Sequence, residues 1–158
     1  MRYYRVPAVS IAVIDRYRIA WIYAAGLRSI ASNESTSTTT LFQAASMSKP
    51  VAAAAILRLF EERRLSLDAD VNTMLRSWRV PWPAGSTQPV TMRRLLSHYA
   101  GVNVQDWPGY DRDAPLPTLL QVLDGAPPSN SEAVRVTATP GTVTQYSGGG
   151  TSIAQQVA

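Results

Sequence analysis

Between Val51 and Leu57 the chain is apolar on every side, inside a longer block, Leu41 to Arg64, that reads LFQAASMSKPVAAAAILRLFEERR. A helix without a polar face has to be covered all round, so we expect a buried helix here. Little in the sequence is available to cover it. Ala8 to Ile14, AVSIAVI, alternates with Val9, Ile11 and Val13 on one face, and Arg18 to Ala25 alternates again through Ile19, Trp21 and Tyr23. With Asp15 to Tyr17 as the turn, these two runs predict a β-hairpin. One hairpin is marginal in water unless more strands or a packed helix complete it. The chain therefore reads as a single incomplete α+β domain over residues 1–158. Its sheet hairpin occupies residues 1–27, and the buried helix with a helical subdomain occupies 41–158. An uncovered sheet edge of this kind would invite self-association.

The remaining elements are short. Residues 28–40 are polar and β-branched and read as a surface connection. Asp68 and Asp70 offer caps for a short helix from Val71 to Leu75, and Trp78 to Pro89, rich in proline and tryptophan, reads as a surface loop. Thr91 is expected to cap a helix through Met92, Leu95 and Leu96 that Gly101 stops. A loop from Val102 to Pro117 precedes an amphipathic helix around Leu119 to Leu123 that ends at Gly125. A second loop runs to Val134, and Arg135 to Val143 is extended but broken by Pro140 and Gly141. After Gly148 to Gly150 a helix is expected to begin near Thr151.

Composition removes several functional classes. The chain has no cysteine and one histidine, His98, so disulfide frameworks, thiolate metal sites and a histidine-based triad are not expected, and neither a metal nor a cofactor is implied. Of 15 basic residues Lys49 is the only lysine, and the net charge is +4. The arginines are scattered or paired with acids interleaved, without the aromatic-lined stripe of a nucleic-acid binder. No apolar stretch approaches the ~20 residues of a transmembrane helix, and the N-terminus lacks the small-residue cleavage site of a signal peptide. The chain is expected to be soluble; its compartment stays open.

Ser46 and Lys49 stand as Ser-x-x-Lys in AASMSKP, at the start of the apolar helix. Side chains three apart share a helix face with Cβ atoms ~5 to 6 Å apart, so the amine reaches the hydroxyl and can take its proton when neutral. The apolar neighbourhood and the positive end of the helix dipole both disfavour an ammonium there. The Ser46 amide, at the same helix terminus, would supply half of an oxyanion hole. The other reading of the pair is a capping serine and a surface lysine. Tyr146, in TPGTVTQYSGGG, is a second candidate: a phenol that relays a proton, or a core or edge aromatic. Trp107 and Tyr110 either line the entrance to a site or anchor the surface of their loop.

These residues carry a resemblance. AASMSKP with its helix, LSLD, MRRLLSHYAG and PGTVTQYSGGGTSIAQQ, in that order, resemble the serine β-lactamase and penicillin-binding-protein-like family, its class C and esterase branch in particular. The likeness runs from about Val6 to Ala158 and corresponds to about the first half of that family's domain. It implies a partial β-lactamase/transpeptidase-like fold and a serine hydrolase that takes a small-molecule acyl substrate through an acyl-enzyme. By similarity Ser46 is the nucleophile, Lys49 its base and Tyr146 the proton relay, and His98 matches a position that looks structural. Three departures stand out. Gly148 replaces the asparagine of Tyr-x-Asn, which favours an ester or other small acyl group over a β-lactam at the substrate-binding position. Pro50 removes an early helical hydrogen bond and is expected to make that turn irregular. The family's Lys-Thr-Gly-like strand lies beyond Ala158, so the isolated chain is expected to turn over little. The alternative is a catalytically silent binding module that keeps the fold.

Overall fold

The computed structural model describes residue 1, residues 3–81 and residues 87–158, and these divide into two compact units, Met1–Ala45 and Ser46–Ala158. Trp82 to Ser86 of the expected surface loop lie outside the described residues.

The first unit is an antiparallel sheet of β1 (Ala8–Asp15), β2 (Arg18–Ser29) and β3 (Glu34–Ser35), in that spatial order. Ala8 pairs with Gly26 and Val13 with Trp21; the register then shifts by a bulge before Asp15 meets Arg18. Arg16 and Tyr17 turn the chain with φ of 46° and 63°. Both values are left-handed, as a two-residue hairpin turn requires to match the strand twist. β2 runs four residues further than expected, and the predicted surface connection holds a strand. Asn33, with φ 53°, reverses the chain so that Ser35 pairs with Leu27, and Arg28 forms an ion pair with Glu34. Polar residues suffice for an edge strand because neither of its faces has to enter a core.

The second unit contains α1 (Ser48–Glu62), α2 (Met92–Leu96), α3 (Leu119–Asp124) and α4 (Gly148–Val157). Its core joins Phe60, Val71, Met92, Leu95, Leu123 and Ile153, each at most 2% exposed. Expectation and structure differ at α1. Only Ile56 and Phe60 are buried, whereas Val51 is 72% and Leu57 44% exposed. The two buried residues are four apart, one stripe of a helix, and the described elements of this unit cover that stripe alone. At the far end of α1, Arg58 bonds Glu62 at 2.7 Å on the exposed side.

Local caps explain most of the other boundaries. Asp70 accepts from the Asn72 N–H at 2.9 Å and caps a 3-10 turn, Val71–Thr73, in place of the expected helix to Leu75. Trp78 and Val80, assigned above to a surface loop, are buried: the Trp78 indole donates to Asp124, and the Asn72 amide bonds the Val80 backbone in both directions. Thr91 caps α2, which ends at Leu96 rather than at Gly101 because His98 already takes a left-handed φ of 57°. Thr118 and Gln121 form a capping box on α3, and Gly125 closes it with φ 65°. Arg135 to Val143 makes one bridge, Val136 to Val102.

α4 starts three residues earlier than expected. Ser147 Oγ accepts from the Gly150 N–H at 2.8 Å, and the Gly148 and Gly149 N–H groups each donate to the 104–105 backbone at 3.0 Å. The glycines thus form the first helical turn because that turn lies directly on another backbone. A Cβ on Gly149 would come within 2.8 Å of the Asn103 carbonyl oxygen. No helix among the described residues is long and apolar enough to cross a membrane.

Candidate active site

Ser46 sits in a 3-10 turn, Ala45–Met47, that leads into α1. Ala45 has φ 45°, a left-handed conformation unfavourable for alanine that bends the chain immediately before the serine. Pro50 carries no N–H, so the Ser46 carbonyl cannot receive a bond from the residue one α-turn on. The turn is accordingly tighter than α-helix, as the proline implies. The Ser46 amide lies where helix N–H groups have no intrahelical acceptor.

Two other elements complete the geometry around Ser46 Oγ. Lys49, one helical step on, donates from Nζ to Ser46 Oγ at 3.2 Å. Tyr146, one residue ahead of the Ser147 cap of α4, brings its phenol oxygen to 2.6 Å from the same Oγ. Nζ of Lys49 also stands 4.8 Å from the Tyr146 ring centroid, so the three groups touch pairwise. The Lys49 ammonium foremost, and the Ser46 hydroxyl after it, hold the Tyr146 phenol below its ordinary value against the opposing effects of partial burial and the Asp106 carboxylate. Desolvation of the amine is partial. Lys49 is half-buried and borders a cavity of about 350 Å³ with Pro50, Ala52, Ile56, Leu96 and His98.

The other candidates make contacts with residues outside the Ser46, Lys49 and Tyr146 triplet. Gly148 is buried at the head of α4, and a Cβ there would meet the Trp107 indole nitrogen at 2.9 Å. Trp107 packs half-buried on the core, covering that glycine. The Tyr110 hydroxyl accepts from the Asn130 N–H at 3.1 Å, which ties its loop to the segment after α3. Three residues matter that sequence reasoning had not assigned to the site. Ser147 caps α4, a role that a serine ahead of a helix advertises. Asn103 receives the Arg135 N–H and donates to the Ala133 carbonyl, and its own carbonyl accepts from Ser147 Oγ at 2.6 Å. Asp106 comes near enough to oppose Lys49 at the phenol. Neither of the last two carries a sequence signal, because their partners are brought together only by the fold.

Mixed helices and a small antiparallel sheet, with Ser46 at the head of one helix and Tyr146 just ahead of another, place the chain among the α+β folds of the penicillin-binding-protein type. The family model described as beta-lactamase matches residues 1–158, and the chain belongs to that family. Esterase EstB of Burkholderia gladioli is 35% identical over 94 residues, 59% of this chain and 24% of that protein. The octameric penicillin-binding protein homologue from Pyrococcus abyssi superposes with a TM-score of 0.76 at 25% identity over 99% of this chain and 35% of its own. EstCE1, a hydrolase with promiscuous acyltransferase activity, gives a TM-score of 0.69 at 25% identity, over 95% of this chain and 40% of that one. The matched part of the chain thus covers 24% to 40% of the length of these proteins.

Proposed function

We propose that this chain carries the acylating residues of a serine hydrolase that acts on an ester or another small acyl substrate. The convergence of Lys49 Nζ and Tyr146 Oη on Ser46 Oγ carries the reading. Ser46 Oγ attacks the acyl carbon and its proton passes to Lys49 in its neutral form. The carbonyl oxygen becomes an oxyanion beside the Ser46 amide. As the tetrahedral intermediate collapses, Tyr146 relays a proton to the leaving oxygen, giving an acyl-Ser46 ester and a free alcohol. Water then cleaves that ester by the same steps in reverse. The hydroxyl-to-phenol distance is the shorter of the two, and this favours a second proton route in which a phenolate of Tyr146 receives the Ser46 proton while Lys49 stays charged.

The preference for esters is supported by Gly148, which offers no side-chain amide to a substrate, and by the esterase among the relatives. The open edge of β1 and its exposed Ile11 and Ile14 support the further expectation of self-association, checked by sedimentation at several concentrations. A fluorophosphonate probe tests the reaction. Peptide mapping should find one adduct, on Ser46; labelling elsewhere, or none, overturns the proposal and favours a silent binding module.

A further inference from the structure

Both neighbours of Tyr146 are bonded to one residue. The Gln145 N–H donates to the His98 carbonyl at 2.8 Å, and the Ser147 N–H donates to His98 Nδ1 at 3.2 Å. Between these bonds the imidazole lies against the phenol, ring centroids 4.5 Å apart and planes 38° from parallel. To make these contacts His98 holds a left-handed φ of 57°, unfavourable for a residue with a Cβ. We infer that His98 is the positioning residue of Tyr146: its neutral Nε2–H tautomer fixes the phenol oxygen beside Ser46, and protonation at Nδ1 releases it.

The chemistry follows from the bond at Nδ1. A backbone N–H there needs a lone pair, so the ring proton resides on Nε2. A second proton on Nδ1 would set donor against donor and add a positive charge beside Lys49. The charged and titratable groups facing the ring are Lys49 from α1, which shares its cavity, and Tyr146, which lies against it; Asp106 acts on the phenol. Arg93 and Arg94 of α2 are engaged elsewhere, with Asp68 and with Pro89 and Gln88. Thr151 of α4 borders the same cavity and is uncharged. Burial first, and the Lys49 charge second, hold the imidazole below its ordinary 6.5. His98 is therefore neutral at pH 7, and its titration lies on the acid side.

This inference rests on the proposed reaction for its kinetic arm and on spectroscopy for an independent one. The rate of fluorophosphonate labelling at Ser46 should fall as the pH drops below about 6.5. His98→Asn places an amide oxygen near the position of Nδ1 and tolerates the left-handed backbone. It should keep the neutral-pH rate and lose the part of the acid limb due to His98. His98→Phe retains a ring but no acceptor and should label about 10-fold to 10²-fold more slowly at every pH, as expected when a reacting group is misplaced. An unaltered acid limb in His98→Asn, or wild-type labelling by His98→Phe, overturns the inference. If no protein takes the label, the reaction fails and NMR decides the positioning. His98 is the only histidine in the sequence, so its ring nitrogens are assigned without ambiguity. An Nε2–H tautomer at neutral pH, with Tyr146 ring resonances that follow the imidazole titration in the wild type and not in His98→Asn, supports it. An Nδ1–H tautomer, or Tyr146 resonances blind to that titration, contradicts it.

Discussion

A hydroxyl becomes a nucleophile only when its proton has somewhere to go, and in the proposed reaction the two groups within hydrogen-bond reach of Ser46 Oγ are its destinations. Their proximity has a consequence for the phenol. The Lys49 ammonium lowers the Tyr146 titration, so Lys49→Met should move it up toward the ordinary tyrosine value, read by ultraviolet difference titration. A midpoint that stays in place would mean that the lysine does not act on the phenol. Ser46 and Lys49 were legible together because helix geometry fixes the separation of residues three apart. Tyr146 was legible as a candidate, but its 2.6 Å approach was not, because 100 residues of chain separate it from Ser46. His98 gave even less, since its partners are backbone N–H groups that every residue but proline possesses.

At the scale of the element, boundaries set by a residue's own neighbours were readable, and boundaries set by distant backbone were not. Thr91 caps α2 and Gly125 closes α3 as local chemistry dictates. The expected start near Thr151 leaves the glycines outside the helix, yet they are the first turn of α4, with the Gly148 and Gly149 N–H groups on the carbonyls of Gln105 and Val104. Gly149→Ala should therefore destabilise the chain by about 1 to 3 kcal/mol, because its Cβ would press on the Asn103 carbonyl oxygen at 2.8 Å and on Val134 at 3.0 Å. Urea denaturation checks this; an unchanged midpoint would show that the turn has room to shift. The short strand β3 escaped notice for a related reason: pairing supplies its definition, and its polar residues need no core.

Across the whole molecule, the reading of α1 as buried all round met a helix covered along one stripe. Hydrophobicity states what a surface would gain from cover, and the fold decides which cover is present. Within the 158-residue chain, Phe60→Ala should cost about 3 to 5 kcal/mol, since Phe60 is 2% exposed. Val51→Lys, at 72% exposed, should change stability by no more than about 0.5 kcal/mol. Equal losses for the two would contradict one-sided packing. The β-lactamase family membership, read from motif order and matched over residues 1–158, joins these scales, because it is the order of Ser46, Lys49 and Tyr146 along the chain that the fold converts into one cluster. The most direct measurement is the rate of phosphonylation at Ser46 in Lys49→Ala relative to the wild type. A base that takes the serine proton contributes about 10²- to 10⁴-fold, so a loss of that size is predicted; a variant that labels as fast as the wild type would contradict the account.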